Sequence, residues 1–290
     1  MIESARDSCH RFIFDDSGIR GQIVSLSSSV KIALEHKNYP APLSSLLGQA
    51  MTAAALLADT IKMEGSLILQ VQGDGPAHTL VAQATDDGDL RGMIHYTEGV
   101  IEGNDFRGLV GDGKLVLTID ASGSERYQGV VAIEGGSLAE AIEFYFDQSE
   151  QLPTRVWLSS SGQRAGGIML QKIPGENEER FRWDHLVALT HTVTDTELIE
   201  LDPVDLIQRL YHQESVTIYQ PVMLRFRCGC SRGKIESVLL QLGQSEIEQI
   251  AENSGEVSVE CEFCNQKYDF DAVDISALFR ATTAVPELRQ

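Results

Sequence analysis

The sequence has little positive charge. It contains 23 Lys and Arg residues against 43 Asp and Glu residues, which gives a formal net charge of −20 at pH 7. A chain this acidic repels a phosphate backbone, and no basic patch stands out along it. We therefore expect that the protein has no nucleic-acid partner.

The sequence also shows neither the pattern of a leader nor a long apolar run, as far as its residues allow an expectation. Its first residues do not combine a basic start with an apolar core, and we expect no uncharged apolar run long enough to span a bilayer. With 42% hydrophobic and 23% charged residues, the composition is ordinary for a globular protein. We therefore expect a cytoplasmic protein with no membrane partner. Thiols stay reduced in that compartment, which favours metal binding or redox sensing over permanent disulfides.

Cysteine is scarce, but four of the five cysteines form two tight pairs near the C-terminus, Cys228-Gly-Cys230 and Cys261-Glu-Phe-Cys264. Two thiolate pairs that a folded segment brings together supply the tetrahedral sulfur ligands that zinc prefers, and each pair is close enough to oxidise internally. No histidine follows His212, so a closed four-ligand site in this tail would use the four cysteines. The sequence predicts a metal site that could also respond to oxidants.

A purely structural zinc knuckle is the alternative interpretation of these cysteines. Structural ribbons usually carry two Cys-x-x-Cys pairs about 15–20 residues apart. Here the first pair is Cys-x-Cys, and 30 residues (231–260) separate it from the second. This departure argues against the structural interpretation without excluding it.

Residues up to about Pro174 have the pattern of a mixed α+β domain. Leu43–Lys62 has the apolar spacing of a buried helix. The remaining signals are two strands within residues 10–28 that break at Asp15–Gly18, a helix ending near His36, a strand over Gly65–Gln72, hairpin turns at Asp87–Gly88 and Ser122–Gly123, a capping box at Ser137–Glu140 that opens a helix, and strands around Val156 and Met169. A polar stretch over residues 175–180 marks a boundary.

Residues 181–213 predict three short helices. The second begins at a capping box, Thr194–Glu197, and the third begins at Asp202-Pro203. Helices this short are marginal alone and need a surface to dock on, so the segment is expected to be metastable. Trp183 and Tyr211 are either docking anchors for this segment or ordinary core residues.

Several motifs together give the chain a resemblance to a known family. They are Cys-x-Cys followed by Cys-x-x-Cys at this spacing, Gln208–Glu214 before them, Gly73-Asp-Gly-Pro76, and Arg164–Gln171. The chain resembles, over nearly its whole length, the thirty-three-kilodalton heat-shock family of redox-regulated holdase chaperones. The resemblance implies an α+β fold with an N-terminal mixed α/β core domain for substrate binding and dimerisation (1–178), a metastable helical linker (179–224) and a small C-terminal four-cysteine zinc domain that acts as the redox switch (225–290).

The resemblance also implies roles for the four paired cysteines. Cys228, Cys230, Cys261 and Cys264 would bind one Zn²⁺ in the reduced, inactive form. Oxidation would form the disulfides Cys228–Cys230 and Cys261–Cys264, release zinc and unfold the linker. The active protein would bind unfolding client proteins without ATP during oxidative stress and prevent their aggregation. It would not be an enzyme, and it would form a homodimer when oxidised.

Two other function classes stay open at this point. A thiol-disulfide oxidoreductase would use Cys261–Cys264, but no βαβ pattern surrounds that pair. A zinc-stabilised adaptor would bind one specific partner and would not respond to oxidants. Gly108–Lys114 resembles part of a phosphate-binding loop, but Leu115 stands where a Ser or Thr would bind magnesium, so a tight turn is expected. The lone Cys9 is expected to be inert.

The charges around the two pairs differ. Arg225, Arg227, Arg232 and Lys234 flank the first pair, and Glu260, Glu262 and Asp269 surround the second. The basic residues either stabilise thiolates of the first pair or offset the charge of a four-thiolate zinc centre. The Cys261–Cys264 disulfide is expected to form with less strain, because Cys-x-Cys closes the tighter ring.

Overall fold

The computed structural model describes residues 7–283 except residues 16, 36, 61–63, 100–104, 122, 124, 174–179 and 255. The described chain forms two compact units, Met1–Arg227 and Cys228–Gln290. The predicted boundary at residues 178 and 179 and most of the polar stretch 175–180 lie outside the described residues, as does Ser122 of one predicted turn. The division into 1–178, 179–224 and 225–290 therefore stays a prediction.

The fold is α+β, as predicted. The strands are β1 (Ser8–Phe14), β2 (Ile19–Leu26), β3 (Gly65–Gly73), β4 (Thr79–Thr85), β5 (Asp89–His95), β6 (Gly113–Ala121), β7 (Tyr127–Ala132), β8 (Thr154–Ser160), β9 (Ala165–Lys172), β10 (Val216–Ile218), β11 (Val222–Met223), β12 (Arg225–Phe226), β13 (Val257–Glu260) and β14 (Lys267–Phe270). The helices are α1 (Ser28–Glu35), α2 (Ala41–Ala58), α3 (Phe106–Val110), α4 (Leu138–Tyr145) with a π-helical turn (Phe146–Glu150), α5 (Arg180–Thr190), α6 (Asp195–Glu200), α7 (Pro203–Leu210), α8 (Arg232–Leu242), α9 (Gln244–Ser254) and α10 (Ala272–Thr283).

Two six-stranded sheets make up most of the larger unit. The first sheet has the order β10-β1-β2-β9-β8, with β11 also paired to β1, and the second has the order β12-β5-β4-β3-β6-β7. Nearly all neighbouring strands are antiparallel; β12 runs parallel to β5. The predicted strands and the turn at Asp87–Gly88 are confirmed, with Gly88 at φ +82°.

Helix α2 is the centre of the main hydrophobic core and packs against strands of both sheets. It begins at Ala41, after Pro40, and its apolar side chains are buried around most of its circumference. Small residues permit the close contact: a Cβ on Gly48 would lie 2.3 Å from Ser160 Oγ.

By length and composition α2 could also cross a membrane, which corrects the expectation that no uncharged run reaches that length. However, 72% of this window is buried inside the protein, as in a core helix of a soluble protein. It is therefore weak evidence for a membrane span.

Side-chain caps begin several helices where the sequence predicts them. Thr194 and Glu197 form the full reciprocal capping box at α6, and Asp202 caps α7 with Pro203 in its first turn. At α4, Ser137 accepts a hydrogen bond from the Glu140 N–H, but the Glu140 carboxylate accepts from the N–H of Gly136 rather than that of Ser137. This helix therefore has half of the predicted box.

The three short helices α5, α6 and α7 lie on the outer face of the first sheet. Together with that face they form a second hydrophobic cluster, separate from the main core. We call it the linker cluster, and its buried members are Phe12, Phe14, Ile19, Ile23, Ile168, Leu170, Trp183, Leu186, Leu198, Leu206, Ile207, Leu210 and Tyr211. The predicted need of these helices for a docking surface is met here.

The smaller unit contains helices that the sequence signals above did not predict. Helices α8, α9 and α10 surround the hairpin β13–β14 and bury a small core of Leu239, Ile247, Val257, Phe270 and Ile275. A core of this size supplies little stability by itself. The unit is therefore expected to depend on a further stabilising element such as a metal.

Candidate metal centre

The four paired cysteines lie on two loops of the smaller unit. Cys228 and Cys230 come just before α8, where the Ser231 side chain accepts a hydrogen bond from the Lys234 N–H and fixes the start of the helix. Cys261 and Cys264 lie in the turn that joins β13 to β14. The hairpin and the helix start thus bring together two pairs that are far apart in sequence.

The turn at the second pair is tightly defined by backbone hydrogen bonds. The Asn265 N–H donates to the Cys261 carbonyl at 2.7 Å, and the Cys261 N–H donates to the Gln266 carbonyl at 3.0 Å. Asn265 adopts φ +53°, which asparagine tolerates better than most residues. This geometry turns both cysteine side chains of the pair toward one point.

The four Sγ atoms form one cluster. All four lie within 4.8 Å of one another, with Cys228 Sγ 3.6 Å from Cys261 Sγ and Cys230 Sγ 3.4 Å from Cys264 Sγ. No disulfide joins them, so all four are free. Zinc–sulfur bonds of about 2.3 Å in a tetrahedron require sulfur atoms about 3.8 Å apart. The observed spacing fits a metal ion held by four sulfur ligands.

The environment of the cluster shifts the pKa of its thiols in different directions. Burial raises the pKa of Cys264, and it also raises that of Cys228. Burial acts in the same direction on Cys230, but hydrogen bonds from Tyr268 and the neighbouring thiols outweigh it and lower the pKa of Cys230 to about 7. Cys230 is the thiol of the cluster that loses its proton most readily of these three.

Tyr268 is the contact residue that the sequence signals missed. Its hydroxyl donates a hydrogen bond to Cys230 Sγ at 3.1 Å, and this bond raises the pKa of Tyr268 itself to about 12. Tyr268 lies on β14 opposite Val259 of β13. The contact follows from the register of the β13–β14 hairpin, and the spacing of the cysteines does not predict it. Hydrogen bonds of this kind orient metal ligands and tune their affinity.

The basic residues near the first pair have partners of their own. Arg225 and Arg227 belong to the larger unit and pair with Asp89, at 2.6 and 3.1 Å. Arg232 pairs with Asp274, and Lys234 Nζ donates to the Gly229 carbonyl. Hydrogen bonds from Tyr268 and the neighbouring thiols, rather than these cations, account for the low pKa of Cys230.

The other sequence candidates belong to the larger unit. Cys9 is buried in the larger unit, and burial followed by the charge of Asp59 raises its pKa well above the usual value, as expected for an inert thiol. Gly108–Lys114 ends α3 and enters β6, so a strand follows where a phosphate-binding loop needs a helix. Trp183 and Tyr211 are both buried in the linker cluster.

Comparison with known proteins agrees with this architecture. The profile of the family described as Hsp33 protein matches residues 7–271. The chain is 44% identical to a 33 kDa chaperonin of Nitrosococcus oceani over 281 residues, 97% of each chain, and 45% identical to one of Azotobacter vinelandii over 280 residues, 94% of each. The crystal structure of a 33 kDa chaperonin from Thermotoga maritima shares the fold, with a TM-score of 0.84 at 22% identity over 96% of this chain and 99% of that one.

These matches span the core sheets, the linker helices and the four-cysteine cluster together. The expectation drawn from the sequence motifs is thereby confirmed at the level of the family. This chain belongs to the Hsp33 family of chaperones.

Proposed function

We propose that this protein is a redox-regulated, ATP-independent holdase that binds unfolding proteins and prevents their aggregation under oxidative stress. It acts in the cytoplasm on client proteins, without an enzymatic reaction and without nucleic-acid or membrane partners. Membership of a chaperone family supports the binding of unfolded clients. Its reduced form binds one Zn²⁺ through Cys228, Cys230, Cys261 and Cys264 and is inactive.

The observation that carries the proposal is the linker cluster. Short helices of 11, 6 and 8 residues cover an apolar sheet face, and their own apolar side chains are buried in the same contact. Helices of this length are not stable in water without such a contact. When they leave the sheet, two sets of buried apolar side chains become accessible at once, which is the surface that a holdase needs.

The four thiols supply the chemical input. Each pair of thiols gives up two electrons and two protons to one peroxide molecule, which forms one disulfide and two molecules of water. A disulfide sulfur is no longer a thiolate ligand, so oxidation removes the ligands that a metal needs. The four Sγ atoms of the cluster lie within 4.8 Å of one another, so small movements could form any of the three possible pairings into two disulfides.

Energetics decide which state the smaller unit adopts after oxidation. Bound zinc supplies a folding cross-link, with an apparent binding free energy of about 10–16 kcal/mol at sites of this kind. Disulfides within each pair close very small loops, and the chain-entropy model gives them roughly 1.5–2 kcal/mol each. The disulfides therefore replace only part of the lost stability. The zinc domain predicted from the sequence (225–290) unfolds, and the predicted linker (179–224) undocks from the predicted core domain (1–178).

The experiment that tests this proposal measures zinc and activity in one sample. Zinc release is followed with a chromogenic chelator during peroxide treatment at raised temperature, and suppression of aggregation of an unrelated unfolding protein is measured in parallel. We expect both to rise together and to reverse with reductant plus zinc. Zinc release without any gain of activity would favour the adaptor interpretation, and catalytic reduction of insulin would favour an oxidoreductase.

Cysteine variants give the matched control. Replacement of all four clustered cysteines by serine should make the chaperone active without peroxide, because no metal can hold the smaller unit. Cys9→Ala, which removes the one thiol outside the cluster, should behave like the parent protein. A four-serine variant that stays folded and inactive would contradict the switch. Mass spectrometry of the oxidised sample tests the pairs Cys228–Cys230 and Cys261–Cys264, and light scattering tests whether the oxidised form is a homodimer.

A further inference from the structure

Residues 215–227, which we call the edge strap, run along the open edges of both sheets. β10 and β11 pair with β1 of the first sheet, and β12 pairs with β5 of the second. Backbone hydrogen bonds extend these pairings: the N–H groups of Leu224 and Arg225 donate to the carbonyls of Asp7 and Gly88, each at 2.9 Å. The strap therefore covers two strand edges that would otherwise be unpaired.

Backbone hydrogen bonds hold the strap in place together with apolar side chains that are mostly only partly buried. Tyr219 is 52% exposed and Met223 is 46% exposed, and within the strap Leu224 alone falls among the buried residues. Ser215 and Thr217 add side-chain hydrogen bonds to Asp15 at 2.6 and 3.1 Å. Pairing of this kind depends little on side-chain identity, so a different extended chain could take the same place.

The pattern of β1 shows which of its groups face the strap. The Tyr219 N–H donates to the Arg11 carbonyl at 2.9 Å, and the Asp15 N–H donates to the Ser215 carbonyl at 3.0 Å. Backbone groups of a strand alternate in direction, so Ile13, which lies opposite Thr217, also points its N–H and C=O toward the strap. The even-numbered residues of β1 point theirs toward β2.

The even-numbered side chains of β1 that lie opposite strap residues belong to the linker cluster. Phe12 lies opposite Ile218 and Phe14 lies opposite Val216, and both strap residues pack partly buried against the cluster. Once the linker helices leave, the two phenylalanines would be exposed beside the unpaired edge. An added strand would gain most from an apolar residue at every second position, as Val216 and Ile218 show.

The geometry points to β-strand addition as the way in which the oxidised protein holds its clients: an extended segment of an unfolding protein, apolar at alternate positions, pairs with β1 in place of the edge strap. This inference rests on the proposed function, which frees the strap. Unpaired strand edges bind other extended chains readily. A second copy of this chain is the alternative occupant, and the exchange experiment below distinguishes it from a client.

Two proline variants, at the facing residues Ile13 and Thr217, distinguish the role of the β1 edge from that of the strap. Ile13→Pro removes an N–H of β1 that faces the strap and leaves the bonds from β1 to β2 in place. Thr217→Pro removes the facing N–H of the strap instead. Both changes loosen the strap in the reduced protein, but only Ile13→Pro damages the edge that would bind the client. Ile13→Ala, which keeps the N–H, controls for the lost side chain.

We expect oxidised Thr217→Pro and Ile13→Ala to suppress aggregation as well as the oxidised parent protein. Ile13→Pro should lose about tenfold in client affinity, the effect of one backbone hydrogen bond with its unpaired partner. Equal client affinity of Ile13→Pro and Thr217→Pro after oxidation would overturn the inference. Zinc release and activity of the oxidised parent, measured alongside, report on the proposed function itself. An inactive parent rejects that function, whereas an active parent with equal variants rejects only strand addition.

Amide hydrogen exchange on the unmodified protein gives a test that does not need the variants to fold. In the oxidised protein without client, the N–H groups of Ile13 and Asp15 should exchange fast, while those of Phe12 and Phe14 stay protected by β2. Addition of an unfolding client should protect the odd-numbered groups again. Fast exchange of these groups with client bound would contradict strand addition, and so would protection that depends on protein concentration without client, because a second copy would then be the occupant.

Discussion

A buried hydrogen bond between Thr190 and Tyr211 offers a sharp test of how the linker helices are held. The hydroxyls lie 2.6 Å apart inside the linker cluster. Thr190 has one hydroxyl hydrogen, and it donates this to the Leu186 carbonyl at 2.7 Å. Burial raises the pKa of Tyr211, so its hydroxyl keeps its proton. Tyr211 must therefore be the donor and Thr190 the acceptor.

This assignment predicts unequal costs for the two single variants. Tyr211→Phe removes the donor and leaves Thr190 bonded to Leu186, so it should cost about 1 kcal/mol of docking free energy. Thr190→Val leaves the buried hydroxyl of Tyr211 without an acceptor, so it should cost about 2–3 kcal/mol. The double variant should be less destabilised than the sum of the two, with a coupling of about 1 kcal/mol.

Hydrogen exchange of the amides in α5 and α7 measures these costs in the reduced protein. A cost of 1 kcal/mol raises the opening constant about fivefold, and 2 kcal/mol raises it about thirtyfold. The peroxide concentration needed for activation should fall in the same order, with Thr190→Val below Tyr211→Phe. Equal costs for the single variants, or strict additivity in the double variant, would refute the assignment of donor and acceptor.

Three further changes test other parts of the structure. Tyr268→Phe removes the hydrogen bond to Cys230 and should weaken zinc binding about tenfold in a chelator competition, whereas unchanged affinity would show that the bond is unimportant. Gly21→Ala places a Cβ 2.1 Å from the Phe12 ring, which must move and loosen the linker helices; exchange at the parent rate would contradict this. Burial lowers the pKa of His10, so the folded state binds its proton less well than the unfolded state and stability falls as the pH drops below about 6.5. His10→Gln should reduce that fall in acid unfolding curves, and an identical pH profile would count against it.

Local sequence patterns predict the regular elements of this fold because each pattern acts within a few residues. The apolar spacing of α2 and the capping box at Thr194–Glu197 are realised in the structure. The half-formed box at α4 shows the limit of this reasoning, because Glu140 has Gly136 within reach as well. The spacing of the cysteines also predicts which of them cluster, since two pairs in one small tail have few other partners.

The edge strap and Tyr268 could not be predicted in the same way. β11 and β12 have two residues each, too few for an alternation of apolar side chains to stand out. Their pairing with β1 and β5 depends on contacts between residues more than a hundred positions apart, as for Arg225 and Asp89. The hydrogen bond from Tyr268 to Cys230 depends on the register of the β13–β14 hairpin, and neither residue determines that register by itself. The missed features are thus the ones that tertiary structure creates.

Apolar and polar side chains of the linker helices have different roles in the proposed switch. In the proposed switch, apolar residues such as Leu206 would strengthen docking when buried and client binding when exposed, so changing them would alter the inactive and active states together. Polar contacts avoid this coupling. Arg182 and His185 both pair with Glu214, at 3.4 and 3.1 Å, and Thr190 accepts from Tyr211 inside the cluster. These bonds add to docking but offer little to an apolar client. In the proposed switch, the polar contacts would therefore set the threshold for release of the linker, and the apolar contacts would set the capacity for clients.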